Sequence, residues 1–265
     1  MTLTLEQQAL AQKLFEAFKT NTPLDRDEYV GVVNDFDTAY AVQEAVMALK
    51  KEPTAGYKVS LTSPETQAMF SSDSPLYGAQ VAQRFVQAPY VLNLADYNEP
   101  LVEVEFQFTA KVDLTPKMTK EELLQNTTVA PALEVPDARF KNWFPKLDKY
   151  LVLSDTAVGG AVVSGKARDG ATLTVDELAE VSATLTHDGN KKGYGKGSEV
   201  LGNPVESLKW LVAKLAAQGK TFPAGTHAST GTFLLPPNLT VGEWRVDFTG
   251  GFGEVVLKVE GEKQW

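Results

Sequence analysis

Apolar residues change their period near residue 52. Before it, Leu10, Leu14, Phe15 and Phe18 recur at helical spacing behind Thr4 and Gln7, a capping-box pair. A second periodic run, with Tyr40, Ala41, Glu44, Ala45, Met47 and Ala48, opens at Asp37 and predicts a helix packed on the first. After Thr54, short apolar runs are separated by Gly, Pro, Asn and Asp: YKVSL, FVQAPYVL, LVEVEFQFTAKV, APALEV, YLVL, GGAVVSG, EVSATLTHDG, HASTGTFLL, EWRVDF and EVVLKVEG. These predict a large, mostly β region over 53–265 behind a helical region over 1–52. Ser63-Pro64 and the pair Thr119 and Glu122 each start a short helix within it. Asn203-Pro204 opens a longer one, carrying Leu208, Leu211, Val212 and Leu215 up to Gly219. No internal repeat or low-complexity linker interrupts the pattern.

One strand breaks the apolar rule in an ordered way. In PLVEVEFQF, Val102, Val104, Phe106 and Phe108 share one face, and Glu103, Glu105 and Gln107 share the other. An edge strand with a solvated acidic side explains this, and so does a hard-cation site, since the two glutamates lie about 7 Å apart at Cα. Glu134 adds a third carboxylate, in APALEV, where no alternating polar face accounts for it. Burying it unpaired costs several kcal/mol, so it needs a partner. Arg139 is one option, and a cation shared with Glu103 and Glu105 is the other. Three carboxylates suit Mg²⁺ or Mn²⁺, which leave coordination positions for water or substrate. A 2-oxo acid fills two of them, and the ion then stabilises an enolate as a proton or carboxyl group leaves.

Composition narrows the partners. A formal net charge of −9 over 265 residues, with no compensating Lys/Arg block, argues against nucleic acid and anionic membranes. The absence of cysteine excludes thiolate chemistry, and two histidines make a His-rich zinc site a poor fit. The N-terminal segment has neither signal-peptide nor anchor pattern, and no run of 18 apolar residues occurs, so the cytoplasm is the expected location. KKGYGKGSE lacks phosphate-loop spacing and reads as a hairpin or lid, with THDGN before it as a hairpin turn and His187 solvated.

GYKVSLTS, DSPLYG, PLVEVEFQF, PALEVPDARF with a following Trp, KGSEVLGNP, AGTHASTG and GGFGEVVLKV occur in that order. Over roughly residues 40 to 260 the chain thus resembles the 2-keto-4-pentenoate hydratase and 4-oxalocrotonate decarboxylase family of the fumarylacetoacetate hydrolase superfamily. The resemblance implies an α+β fold, a mixed, mostly β roll with a helical N-terminal region. It implies that Glu103, Glu105 and Glu134 hold Mg²⁺ or Mn²⁺, and that Lys58 is an active-site lysine. Burial would lower its pKa into a useful range. The Thr230-Gly231 segment would hydrogen-bond the substrate carboxylate, Arg139 would be structural, and His227 has no assigned role. Two departures stand out. Leu76 occupies a position where hydratases of the family have Asp, which leans towards decarboxylation, and Thr156 and Val158 replace polar residues beside the retained Asp155. The implied function is a metal-dependent lyase on a short 2-oxo acid. A hydratase, or a metal-binding relative with little turnover, is the alternative, and a homo-oligomer is compatible with either.

Overall fold

The computed structural model describes residues 2–261. Helices α1 (Leu5–Thr20) and α2 (Phe36–Lys50) come first, followed by strands β1 (Thr54–Ser60) to β13 (Gly253–Glu260) with short helices between them. The strands are β2 (Leu76–Val81), β3 (Phe85–Gln87), β4 (Tyr90–Asn93), β5 (Glu103–Ala110), β6 (Thr127–Val135), β7 (Ala161–Ser164), β8 (Arg168–Asp169), β9 (Ser182–His187), β10 (Asn190–Lys196), β11 (His227–Ser229) and β12 (Gly242–Phe248). The remaining helices are α3 (Pro64–Met69), α4 (Lys120–Gln125), α5 (Lys149–Ser154), α6 (Val175–Glu180) and α7 (Pro204–Ala217).

The larger sheet has the order β2-β1-β11-β5-β6-β7-β3, with β8 also on β6; the smaller has the order β10-β9-β12-β13-β4. The apolar face of β5 packs between them, Phe106 meeting Phe233, Phe248 and Phe252. That leaves its glutamate face turned to the opposite side of the larger sheet. A buried side chain of α2 ties that helix to β2 of this sheet and to α5. Gln43 donates to the carbonyls of Tyr77 and Leu153 and accepts from Ala79 N.

The capping signals at Thr4, Ser63, Thr119 and Asn203 each start a helix as expected. Helix α2 begins earlier than Asp37, because Asp35 accepts from the Thr38 N–H. YLVL is helical, not extended: a four-residue apolar run carries no period of its own, and Asp148 caps the turn by accepting from Tyr150 N. β2 and α6 had not been anticipated, although Thr174 and Glu177 form a capping box at the start of α6. Asp188 and Gly189 make the positive-φ turn of the β9–β10 hairpin. His187 is not freely solvated, since its ring stacks on Trp244 at 4.4 Å. No helix among the described residues is long and apolar enough to cross a membrane.

Candidate active site

Four neighbouring strands supply one face. Glu103 on β5 pairs directly with Glu134 on antiparallel β6, and Glu105 lies two residues along on the same side. Across the other edge of β5, Gln107 pairs with Ser229 on β11, which in turn pairs with Lys58 on parallel β1. Cross-strand partners share a face, so the register alone gathers the three acids, the serine and the lysine. Ligand oxygens of Glu103, Glu105 and Glu134 all lie within 4.8 Å of one another. Lys58 is 1% exposed. Its Nζ stands 3.2 Å from Glu134 Oε1 and 3.7 Å from Glu103 Oε2, and it donates to Ser60 Oγ at 2.8 Å.

Glu105 is held rigidly on one oxygen only. Ser229 Oγ donates to its Oε2, as does the Gly231 N–H at 3.0 Å. Its Oε1 and both oxygens of Glu134 are buried and accept no hydrogen bond among the described residues. The Lys58 ammonium stands against Glu134 Oε1 as an ion pair. Such orphaned acceptors are costly, and a hard divalent cation satisfies all of them together. The residues present therefore fit the ion that the acid pattern predicts.

Burial pushes the Glu105 carboxyl up to about 7, with Glu103 adding to the rise and Lys58, Ser229 and Gly231 opposing it. Burial likewise raises Glu134 well above the usual carboxylate range, Lys58 opposing and Glu105 and Glu103 reinforcing. Lys58 goes the other way from the expected lowering. Burial pulls it down, but Glu134, Glu103 and Glu105 outweigh burial and hold the ammonium above its ordinary value. A carboxylate raised in the folded state binds more protons folded than unfolded between its two pKa values. Its contribution is therefore fully present below about 4.5 and lost as pH rises through about 7. In the presence of chelator, urea titrations should show Glu105 costing the fold about 3 kcal/mol across that window, read as the difference between wild type and Glu105→Gln. A pH-independent difference would contradict this assignment.

The open space beside Lys58 has two characters. Its lining includes Lys58, Ser60, Thr62, Glu103 and Thr232 as polar groups, and Phe70, Leu101, Trp143, Phe144, Val152 and Val158 as apolar ones. Leu76 pairs with Ser60 and so shares the face of Lys58, but it is buried and is not part of the cavity wall. Thr230 is fully buried and its hydroxyl donates to Phe106 O, while the Gly231 N–H serves Glu105. His227 lies further along β11, bonded to Thr109, with its ring tilted against that of Phe85 at 4.7 Å. Ser60 and Ser229 are the additions the sequence reading missed. Ser60 was within reach of strand parity, two residues after Lys58; Ser229 depended on a long-range parallel pairing.

Arg139 pairs with Asp155, not with Glu134. Its Nε donates to Asp155 Oδ1 at 2.5 Å and its backbone N–H to Oδ2 at 2.7 Å. Two more guanidinium nitrogens reach Gly159 O and Asp155 O. Both side chains are buried, so removing the cation strands a carboxylate. Arg139→Met should destabilise the protein by about 3–5 kcal/mol in denaturant titrations. A loss below 1 kcal/mol would mean that the pair is not a structural clamp.

Comparison with known proteins follows the same line. A scan against protein-family models finds no match. The chain is 32% identical over 231 residues to a 2-keto-4-pentenoate hydratase of Burkholderia vietnamiensis, spanning 84% of this chain and 86% of that relative. It is 30% identical over 241 residues to a 4-oxalocrotonate decarboxylase of a Pseudomonas species, spanning 87% and 88%. Among solved structures, 4-oxalocrotonate decarboxylase from Pseudomonas putida, complexed with magnesium and adipate, matches with a TM-score of 0.89 at 25% identity, over 98% of this chain and 99% of that one. With relatives of both activities at 30% identity or more over most of its length, the chain belongs to the 2-keto-4-pentenoate hydratase and 4-oxalocrotonate decarboxylase family.

Proposed function

We propose that the chain is a divalent-metal-dependent lyase acting on a short 2-oxo acid, with decarboxylation ahead of hydration. The observation that carries this is the set of three convergent carboxylates with orphaned oxygens, set beside a buried lysine on a cavity of mixed polar and apolar lining. Glu103, Glu105 and Glu134 would hold Mg²⁺ or Mn²⁺. When bound, the ion supplies Lewis-acid stabilisation of the negative charge that develops on a 2-oxo group.

The chain's own residues do the rest. Ser229 and Gly231 fix Glu105 in one rotamer, and Ser60 fixes the Lys58 ammonium. Lys58 Nζ orients the substrate carboxylate and holds a proton next to the reacting carbon. Its charge is shared among three carboxylates, so a cation competing for them leaves it available to the substrate. The apolar walls exclude water from the opposite side, where a departing carboxylate loses solvation, and Leu76 keeps a further carboxylate off this face of the sheet. Hydration is the second reading, favoured by Glu103, whose side chain is 16% exposed at the cavity and is placed to take a proton from water.

The test is optical. Metal-loaded protein is mixed with oxaloacetate, 4-oxalocrotonate and 2-oxo-4-pentenoate, and their ultraviolet absorbance is followed at fixed Mg²⁺. Decay of the first two supports the main reading. Faster turnover of the third moves the assignment to hydration, and no change with any of them leaves a metal-binding relative without lyase activity.

A further inference from the structure

Gln107 is the third polar residue on the acid face of β5, two places beyond Glu105, and it is 4% exposed. The register sets it directly opposite Ser229 on β11 and Ala130 on β6. Ser229 is short, yet its hydroxyl meets Glu105 Oε2, so the Glu105 carboxylate leans from its own row of the sheet towards the row of Gln107. The Gln107 amide is held on one arm only. Its Nε2 lies 3.4 Å from Nδ1 of His227, one row further along, and Thr109 Oγ1 lies 2.9 Å from the same nitrogen. An amide nitrogen only donates, so His227 Nδ1 is the acceptor and the ring proton sits on Nε2. Burial lowers the His227 pKa, which favours that neutral ring. The other arm of the amide, Oε1, is buried and has no donor among the described residues. Such an acceptor is costly unless something donates to it.

We propose that Gln107 is a positioning residue of the metal site: His227 holds its amide so that Oε1 accepts a hydrogen bond from one of the waters that Mg²⁺ or Mn²⁺ keeps. Mg²⁺ dehydrates reluctantly and brings such donors with it. Gln107 does not line the substrate cavity, which reaches the cluster at Glu103. A water held by Gln107 is therefore on the far side of the ion, and the positions facing the cavity stay open to the 2-oxo acid. The proposal rests on the metal-binding part of the lyase reading.

Calorimetric titration of Mg²⁺ and Mn²⁺ into chelator-stripped protein, without substrate, tests this. Gln107→Leu keeps most of the bulk and removes the acceptor, so it should weaken both ions by about 10- to 100-fold. Its melting temperature without metal should stay at or above that of the wild type, because the orphaned oxygen has gone. A glutamine that only fills space would give the reverse, with unchanged affinity and lowered stability. His227→Leu should weaken both ions in the same direction. His227→Asn, whose side-chain oxygen can accept where Nδ1 does now, should restore most of the affinity. The two His227 variants keep the test decisive even if Gln107→Leu does not fold. Wild-type affinity in Gln107→Leu, or in both His227 variants, would overturn the proposal and leave the acid cluster as the metal site. A wild type that binds neither ion would overturn the metal reading as well.

Discussion

Replacing Glu105 by glutamine should abolish the rise in melting temperature that Mg²⁺ or Mn²⁺ gives the wild-type protein. That rise follows from linkage: at a hundredfold excess over Kd, the ion stabilises the fold by about 2.7 kcal/mol. The substitution is close to isosteric. The amide oxygen can still accept from Ser229 and Gly231, where Glu105 Oε2 does now. The new amide nitrogen takes the place of Oε1, which has no donor among the described residues, and faces a neighbourhood rich in carboxylate. Without metal, the variant should therefore be as stable as the wild type or more so, because one member of a repelling cluster has become a donor. With metal, it lacks a charged ligand and should bind the ion at least about 10²-fold more weakly. Melting curves with Mg²⁺ and with chelator check both halves. Equal metal-induced shifts in the two proteins would show that the acid cluster does not hold the ion.

The same cluster shows how far the chain could be read before folding. Glu103 and Glu105 were legible because a strand's period of two leaves their face polar inside an otherwise apolar run. Glu134 was legible as an anomaly with two possible partners, and the fold brings it beside Glu103 and Glu105, while the Arg139 guanidinium is committed to Asp155, at the end of α5. Lys58 was picked out by the family resemblance, and the direction of its pKa was missed for a physical reason. Burial can be inferred from local sequence, whereas the opposing charges arrive from β5 and β6 through pairings that no local pattern encodes. YLVL failed for want of length, since four apolar residues fit a strand or a single helical turn equally well. The left-handed turn at Thr156–Val158 was out of reach. Local preference opposes it, and only the Arg139 clamp and the close approach of Gly78 impose it. Signals that agree with local propensity were readable, then, and those created by tertiary override were not.

Lys58→Met should separate the two roles that geometry gives this residue. The methionine keeps an apolar stem of similar reach in a site that is 1% exposed, so packing is largely retained. What is lost is the cation between Glu134 and Glu103. In metal-free protein this leaves buried carboxylates without their counter-ion, a loss of about 3–5 kcal/mol in denaturant titrations. Saturating Mg²⁺ should recover most of that stability, because the ion neutralises the same oxygens. Turnover should not recover. With metal bound and the fold intact, the positioned ammonium is still missing, and kcat/KM on the preferred 2-oxo acid should stay at least about 10²-fold below wild type. A purely structural lysine would behave differently, with activity returning in step with stability as Mg²⁺ is added. Parallel recovery of melting temperature and kcat/KM in Lys58→Met would thus reduce Lys58 to a counter-ion and leave the proton-handling group to be sought at Glu103.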